Sequence, residues 1–407
     1  MPKLYFDNKR YADLPLHYGR VPQWLAERMS KLGGAIIEAI ILEYGRAEVL
    51  ARMSDPLWFQ SLGCVMGMDW HSSGITTSVM GALKKALNPK FDELGIYICG
   101  GKGKYSRETP SELISLSEKT GLNGTELVKN SRLSAKVDTS AVQDGFQIYL
   151  HTFIVTKEGE WNVIQQGMNT DTGMARRYHW QSAILKSFTR EPHAFIYGAN
   201  HGSILNLTDK NADSTKTGIL NLVKESPQII LPEIRKIVMP THHDVRAENV
   251  DLKRLGSILT LAHETKINDF ESLLLLEGAG PRTIQSLALV SEVIYGTPSR
   301  FTDPARFSFA HGGKDGHPFP VPVKTYDFTI DILRQSVEKA KLGESDKLMA
   351  IKNLSLISQM MEKDFIPNEN FNNLLEKERR ESYKYGGRTV FGKAKPPKNN
   401  GQLNLFD

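Results

Sequence analysis

The chain has 407 residues, 40% hydrophobic and 24% charged, an ordinary balance for a soluble globular protein with room for two or three cored domains. No apolar run reaches the roughly 18 residues of a membrane span, and the N-terminal MPKLYFDNKRYADLPL lacks an apolar signal core, so a cytoplasmic location is expected. Net charge is +5, compatible with a polyanionic partner, and the two cysteines, Cys64 and Cys99, lie far apart, make no metal pattern and read as reduced thiols.

Residues 22–53 read as helix. Trp24, Leu25, Met29, Leu32, Ile36, Ile37, Ile40 and Ile41 keep a mostly helical period, which Gly33-Gly34 interrupts at a point suited to a bend or split. Ser54-Asp55-Pro56 is a stop and restart, with Pro56 in the first turn of a new helix capped by Ser54 or Asp55. Met68 to Gly74 is a polar loop before a helix through Leu83 and Leu87. Ile96 to Cys99 is a short strand. It runs into Gly100-Gly101-Lys102-Gly103-Lys104-Tyr105-Ser106, glycine-rich and basic but without P-loop spacing. That loop is expected to touch phosphate or solvent rather than bind a nucleotide. Helices start at Thr109-Pro110-Ser111-Glu112 and Gly124-Thr125-Glu126.

From Gln147 the period changes to two. Ile148, Leu150, Thr152 and Ile154 alternate with Tyr149, His151, Phe153 and Val155, Lys157-Glu158-Gly159 turns, and Trp161 to Gln165 returns as a β-hairpin. His151 and Gln165 or Gln166 are expected near each other across it. His193–Tyr197 and Ser203–Leu207 read as further strands. After Pro227 the pattern is helical, with helices at Leu255–His263, Phe328–Leu342 and Lys347–Met361. Ser308 to Pro320 is a glycine- and proline-rich loop. From about Lys384 a basic, poorly hydrophobic tail is expected to be disordered. The expected fold is therefore an α+β N-terminal domain (1–225), an all-α helix-hairpin-helix domain (226–383) and a disordered C-terminal tail (384–407).

Glu271 to Gly296 carries the sharpest local signal. Leu273 to Leu276 ends one helix, Gly278-Ala279-Gly280 suits a tight turn with positive φ, and Pro281 opens a second helix through Ile284, Leu287, Ala288 and Ser291. Such a turn presents bare N–H groups beside a positive helix end, which is an anion site. Leu276-Glu277-Gly278-Ala279-Gly280-Pro281-Arg282-Thr283 resembles the helix-hairpin-helix of DNA repair proteins. The resemblance implies sequence-independent DNA backbone contact through Gly278, Gly280, Arg282 and Thr283. Lys314, in the later glycine-rich loop, joins them as a DNA-binding candidate.

Four sets of strings stand out along the chain: Gly67-Met68-Asp69-Trp70-His71-Ser72-Ser73-Gly74; Ala135 to Asp138 with Gln143-Asp144-Gly145; Gln165 to Asn169 with Arg176 to Trp180; and Gly312 to Gly316. Together they resemble a prokaryotic family called domain of unknown function 763, over nearly the whole chain. That resemblance implies no particular activity.

Asp69, His71, Asp138, Asp144, His151, Glu160, Gln166 and His179 are the polar residues gathered around the hairpin. Carboxylates and imidazoles there suit Mg²⁺ or Mn²⁺, with Asp144 and Asp69 as candidate ligands, and such a metal activates water for phosphodiester hydrolysis. Asp69, His71, Asp138, Asp144, His151, Gln166 and His179 are therefore candidate catalytic residues of a metal-dependent nuclease. A competing reading is a monofunctional DNA glycosylase using Asp315 or Asp327. Some glycosylases place such a loop after this hairpin, but their bifunctional members carry Lys where this chain has Arg282, and a guanidinium forms no ready Schiff base. A third is a non-enzymatic adaptor that binds DNA structure. His242-His243-Asp244 reads as a solvated surface stretch or a helix start, since adjacent histidines point opposite ways and do not easily share one metal. Finally, Gln402-Leu403-Asn404-Leu405-Phe406 closely resembles the peptide by which bacterial repair proteins dock on the replication sliding clamp. It names Gln402, Leu403, Leu405 and Phe406 as clamp-binding candidates. The expected partners are DNA and that clamp.

Overall fold

A computed structural model describes residues 14–15, 21–68, 73–236, 252–305, 323–362, 388–389 and 392–393. After β1 (Leu14–Pro15), helix α1 (Gln23–Tyr44) runs straight through Gly33-Gly34. A Cβ on Gly33 would lie 2.7 Å from Met66 Cε, and one on Gly34 2.8 Å from the Ala86 Cβ, so the pair admits neighbouring helices instead of breaking this one. The break comes at Gly45, at φ 87°, before α2 (Arg46–Ser54). The expected restart is present: Asp55 accepts the Leu57 and Trp58 amides at 2.7 and 3.1 Å and caps α3 (Pro56–Val65).

Then come α4 (Gly74–Leu87), α5 (Phe91–Leu94) and β2 (Ile96–Lys102). Helix α6 (Lys104–Thr120) begins ahead of Thr109 and contains Pro110. The Ser106 carbonyl, which gets no N–H from Pro110, accepts the Thr109 hydroxyl instead at 2.9 Å. α7 (Gly124–Lys136) passes into one π-helical turn, Val137–Ala141. Strands β3 (Val142–Gln143), β4 (Gln147–Thr156), β5 (Trp161–Asn169), β6 (Met174–Gln181), β7 (Phe195–Tyr197) and β8 (Leu205–Asn206) follow. The remaining helices are α8 (Asp213–Lys224), α9 (Pro227–Lys236), α10 (Leu252–Glu264), α11 (Phe270–Leu275), α12 (Pro281–Tyr295), α13 (Val323–Lys339) and α14 (Glu344–Glu362). The chain divides into two compact units, 1–357 and 358–407. In the second, β9 (Arg388–Thr389) pairs with β10 (Gly392–Lys393).

The main sheet is antiparallel, in the order β1-β6-β5-β4-β2, with β7 also on β6. The mixed α and antiparallel β character matches the α+β expectation. Strand β6, Met174 to Gln181, pairs along its length with β5 and was not expected as a strand. On one face, Cys99, Phe153, Val163 and Trp180 join Leu113 of α6, Leu127 of α7, Ile219 of α8 and Leu287 of α12 in one hydrophobic cluster. Each large side chain buried there contributes about 1.5–3 kcal/mol. The other face meets the N-terminal helices: Asn162 donates to the Leu50 carbonyl and the Ser54 hydroxyl donates to Gln181 at 3.0 Å. The sheet is thus covered by helices on both faces, and its polar residues are enclosed. No helix among the described residues is long and apolar enough to cross a membrane.

Candidate functional site

The pleat sorts the polar residues of β4, β5 and β6 onto opposite faces. His151 stands opposite Gln165, and Gln165 opposite Tyr178. Asp138, on the π-helical turn, closes this face. It accepts the Trp180 indole N–H at 2.9 Å and the Gln165 amide, and faces His193 Nε2. A carboxylate only accepts, so Gln165 must turn its NH₂ toward Asp138 and its oxygen toward His151. His151 Nδ1 therefore donates to Gln165 Oε1 at 2.8 Å, and Nε2 accepts the Ser131 hydroxyl at 2.8 Å. Burial pushes the His151 pKa down, so the ring is neutral.

A second cluster shares that face. Asp144 accepts from Arg176 at 2.9 Å, from the Tyr178 hydroxyl at 2.6 Å and from the Phe146 amide at 3.1 Å. Arg176 also holds Asp303 through two bonds of 3.0 and 2.7 Å. Burial raises the Asp144 pKa against the opposing pull of Arg176. The guanidinium already supplies the positive charge that a metal would bring, and the carboxylate oxygens are turned to protein donors. Asp144 in this arrangement does not fit a Mg²⁺ or Mn²⁺ ligand. Among the described residues, no group of three or more His, Cys, Asp or Glu side chains is placed to hold a metal.

The opposite face carries Gln166, Arg177 and His179. Gln166 donates to the Ser73 carbonyl at 3.0 Å and meets the Thr76 hydroxyl. His179 Nδ1 donates to the Met53 carbonyl at 3.0 Å, so its Nε2 accepts from Arg177 Nε at 2.8 Å. Burial first, then Arg177, pushes its pKa well below the usual imidazole range. Arg177 adds Gln60 Oε1 at 3.0 Å and lies over the rings of Phe59 and Tyr197, 4.4 and 4.9 Å from their centroids.

The fold therefore brings Asp138, Asp144 and His151 to one face, and Gln166 and His179 to the other. All five are buried, and Glu160 stands apart, exposed at the hairpin turn. Trp180, His193 and Ser131 join the Asp138 network without having been singled out, and Gln165, expected only as a neighbour of His151, bridges that histidine to Asp138. Asp69 and His71 lie outside the described residues, as do Lys314, Asp315, His242 to Asp244, and Gln402 to Phe406. No side chain is described for Asp327.

The turn between α11 and α12 is open by contrast. Gly278 has φ 81°, and a Cβ there would lie 2.9 Å from Ile258 Cδ1. Gly280 has φ −111° and ψ −179°, extended backbone open to any residue, so the special conformation belongs to Gly278 alone. Three carbonyls of the turn are held by the protein. Lys136 Nζ donates to Ala279 at 2.7 Å, Gln143 Nε2 to Pro281 at 2.9 Å and Arg254 to Gly278 at 3.4 Å. Burial lowers the Lys136 pKa. Arg282 is exposed, whereas the Thr283 side chain is buried.

The architecture defines an α+β protein whose antiparallel sheet buries polar networks on both faces beneath helical layers. The chain belongs to the family described as "Protein of unknown function (DUF763)", whose model matches residues 10–321. No curated protein and no solved structure matches it.

Proposed function

We propose that the protein binds the DNA backbone, without reading sequence, through the turn Leu276 to Thr283, and that Gln402 to Phe406 brings it to the sliding clamp. The observation that carries the DNA reading is the direction of the turn's peptides. In a planar trans peptide the N–H points opposite the C=O. With the Ala279 and Pro281 carbonyls bound to Lys136 and Gln143, the N–H groups of Gly280 and Arg282 face the other way. Gly280 provides no side-chain cap for α12, so the first-turn donors of that helix stay open to an anion. Arg282 adds a charge beside them. Backbone donors and one guanidinium recognise phosphate and carry no sequence information.

The clamp reading rests on the large apolar pair Leu405 and Phe406 in a polar, basic tail, where a partner's pocket is the natural place to bury them. A metal-nuclease reading is not favoured, because the described candidate residues are buried and hydrogen-bonded to other protein groups on two different faces of the sheet.

The test is fluorescence anisotropy with two unrelated duplexes over a salt series. Arg282→Ala should weaken both equally and reduce the salt slope by about 0.9, one phosphate contact. Gly278→Val, in protein still folded by circular dichroism, should weaken binding further, while Gly280→Ala should leave it nearly unchanged. Wild-type affinity and slope in the first two variants would refute the turn as the contact. Deleting Gln402 to Asp407 should abolish pull-down by the host clamp and leave DNA affinity intact, and a clamp that never captures the full chain removes that half of the reading.

A further inference from the structure

The segment Gly100 to Arg107, where the end of β2 loops over into the first turn of α6, is a second surface with no role in the reading above. Gly100, Gly101 and Gly103 all adopt positive φ, at 81°, 152° and 63°. They let the edge strand β2 pass directly into α6, which leaves an exposed, basic and aromatic stretch at the edge of the sheet. Lys102, Lys104 and Arg107 are exposed, and among the described residues none has a carboxylate within ion-pair distance. Tyr105 is 50% exposed, with Lys104 Nζ 5.2 Å from its ring centroid. Lys102 Nζ stands 5.8 Å from the ring of Tyr149. The missing side chain at Gly101 makes room for Tyr105: a Cβ there would lie 3.2 Å from the Tyr105 Cβ.

We infer that this loop binds a single DNA strand, with phosphates on Lys102, Lys104 and Arg107 and an unstacked base on Tyr105. Three cations without a carboxylate partner among the described residues suit a polyanion. The half-exposed ring selects the single strand, because only an unpaired base offers a free face for stacking. Position supports the pairing with the proposed duplex contact. The Gly103 amide bonds to the Tyr149 carbonyl at the start of β4, and Gln143, just ahead of the same strand, bonds to Pro281 of the turn. Both surfaces therefore lie at the end of the sheet where β4 begins. The substrate class that fits is DNA with a junction between duplex and single strand. The inference rests on the turn reading for the duplex arm and stands by itself for the single-stranded arm.

The experiment compares a fluorescein-labelled blunt duplex, a thymidine 20-mer and the same duplex carrying that 20-mer as an overhang, with full-length protein. Wild type should bind the overhang substrate more tightly than either part alone. Tyr105→Ala should weaken the 20-mer and the overhang on the order of tenfold and leave the blunt duplex unchanged. Tyr105→Phe should restore binding, since it keeps the ring. The double variant Lys102→Ala with Lys104→Ala should reduce the salt slope for the 20-mer by about 1.4, at roughly 0.7 per phosphate on single strands. Unchanged 20-mer binding in Tyr105→Ala overturns the proposal. An equal loss on blunt duplex overturns it too, by making the loop one more duplex contact. Arg282→Ala, measured in parallel, separates the two readings: loss on blunt duplex alone supports the turn, whatever happens at the loop.

Discussion

Arg176 and Arg177 are neighbours in β6, and the pleat sends them to opposite faces of one sheet. Both are fully buried, yet they are accommodated in different ways. Arg176 lies between Asp144 and Asp303 and over the ring of Phe146, 4.8 Å from its centroid. Arg177 has only neutral partners among the described residues: Gln60, Thr76, His179 and the Pro56 carbonyl, with two aromatic rings over its plane. Burial holds its pKa down to about 10, whereas the two carboxylates push that of Arg176 up. One cation is compensated by charge and the other by neutral acceptors and ring faces. An ion pair leaves charges stranded when one member is removed, and a neutral cage does not.

Arg176→Met should therefore show the largest effect. It leaves Asp144 and Asp303 buried without their cation, and the expected loss is about 3–5 kcal/mol by urea denaturation at pH 7. Acid should relieve part of it. Burial raises the Asp144 pKa and Arg176 pulls it back, so without Arg176 it rises further. A pKa raised in the fold gives stability that is fully present below the unfolded value and lost as pH rises through the folded one, and the variant therefore gains more from acid than wild type. A loss in Arg176→Met that is no larger than in Arg177→Met, or that grows on acidification, would break the comparison.

The next effect is a slope. His179 is held neutral beside Arg177, with its pKa lowered by burial and by that cation. A lowered pKa means the unfolded state binds the extra proton first. Stability is then complete above the unfolded value of about 6.5 and falls with acid below it, by at most about 1.4 kcal/mol per pH unit for one histidine. His151 on the other face adds a slope of the same sign. His179→Gln should remove one of the two, making stability below pH about 6.5 less steep by up to that amount. An unchanged slope would mean that His179 is not neutral in the fold.

These contrasts were only partly legible in the sequence. The hairpin of β4 and β5 was plain, because Thr152, Ile154 and their neighbours alternate at period two. The restart at Asp55-Pro56 was equally plain, since cap and proline act locally. β6 was hidden, because Arg176 interrupts the face of Met174, Tyr178 and Trp180, and Arg177, His179 and Gln181 make the other face polar. Its arginines are tolerated only through residues far away in the chain, Asp144, Asp303, Gln60 and Thr76, and no local pattern announces those. The candidate site was half legible for the same reason. His151 opposite Gln165 follows from the hairpin's register. That Gln166 must then face away from Gln165 also follows from the pleat, and it separates residues that composition alone had grouped. Lys136 and Gln143, which hold the turn's carbonyls from more than a hundred residues away, gave no signal at all.

Arg177→Met should be the mildest of these changes and the most informative. Removing the guanidinium takes one donor away from the acceptors of Gln60, Thr76, His179 and Pro56, at about 1–3 kcal/mol where a buried group is left unsatisfied. Against that, the fold no longer desolvates a cation that lacks a carboxylate partner among the described residues, and a thioether is well suited to the space between Phe59 and Tyr197. The two terms oppose each other, so the net loss should be about 1–2 kcal/mol, clearly below that of Arg176→Met. A second readout is independent of packing. Arg177 is one cause of the low His179 pKa, so without it the ring should accept a proton nearer the usual imidazole range. The acid-sensitive window then narrows from below, and the His179 resonances in an NMR titration should move at higher pH than in wild type. A variant that is strongly destabilised while His179 titrates as before would show that Arg177 is held by charge after all, and the two faces of the sheet would be alike.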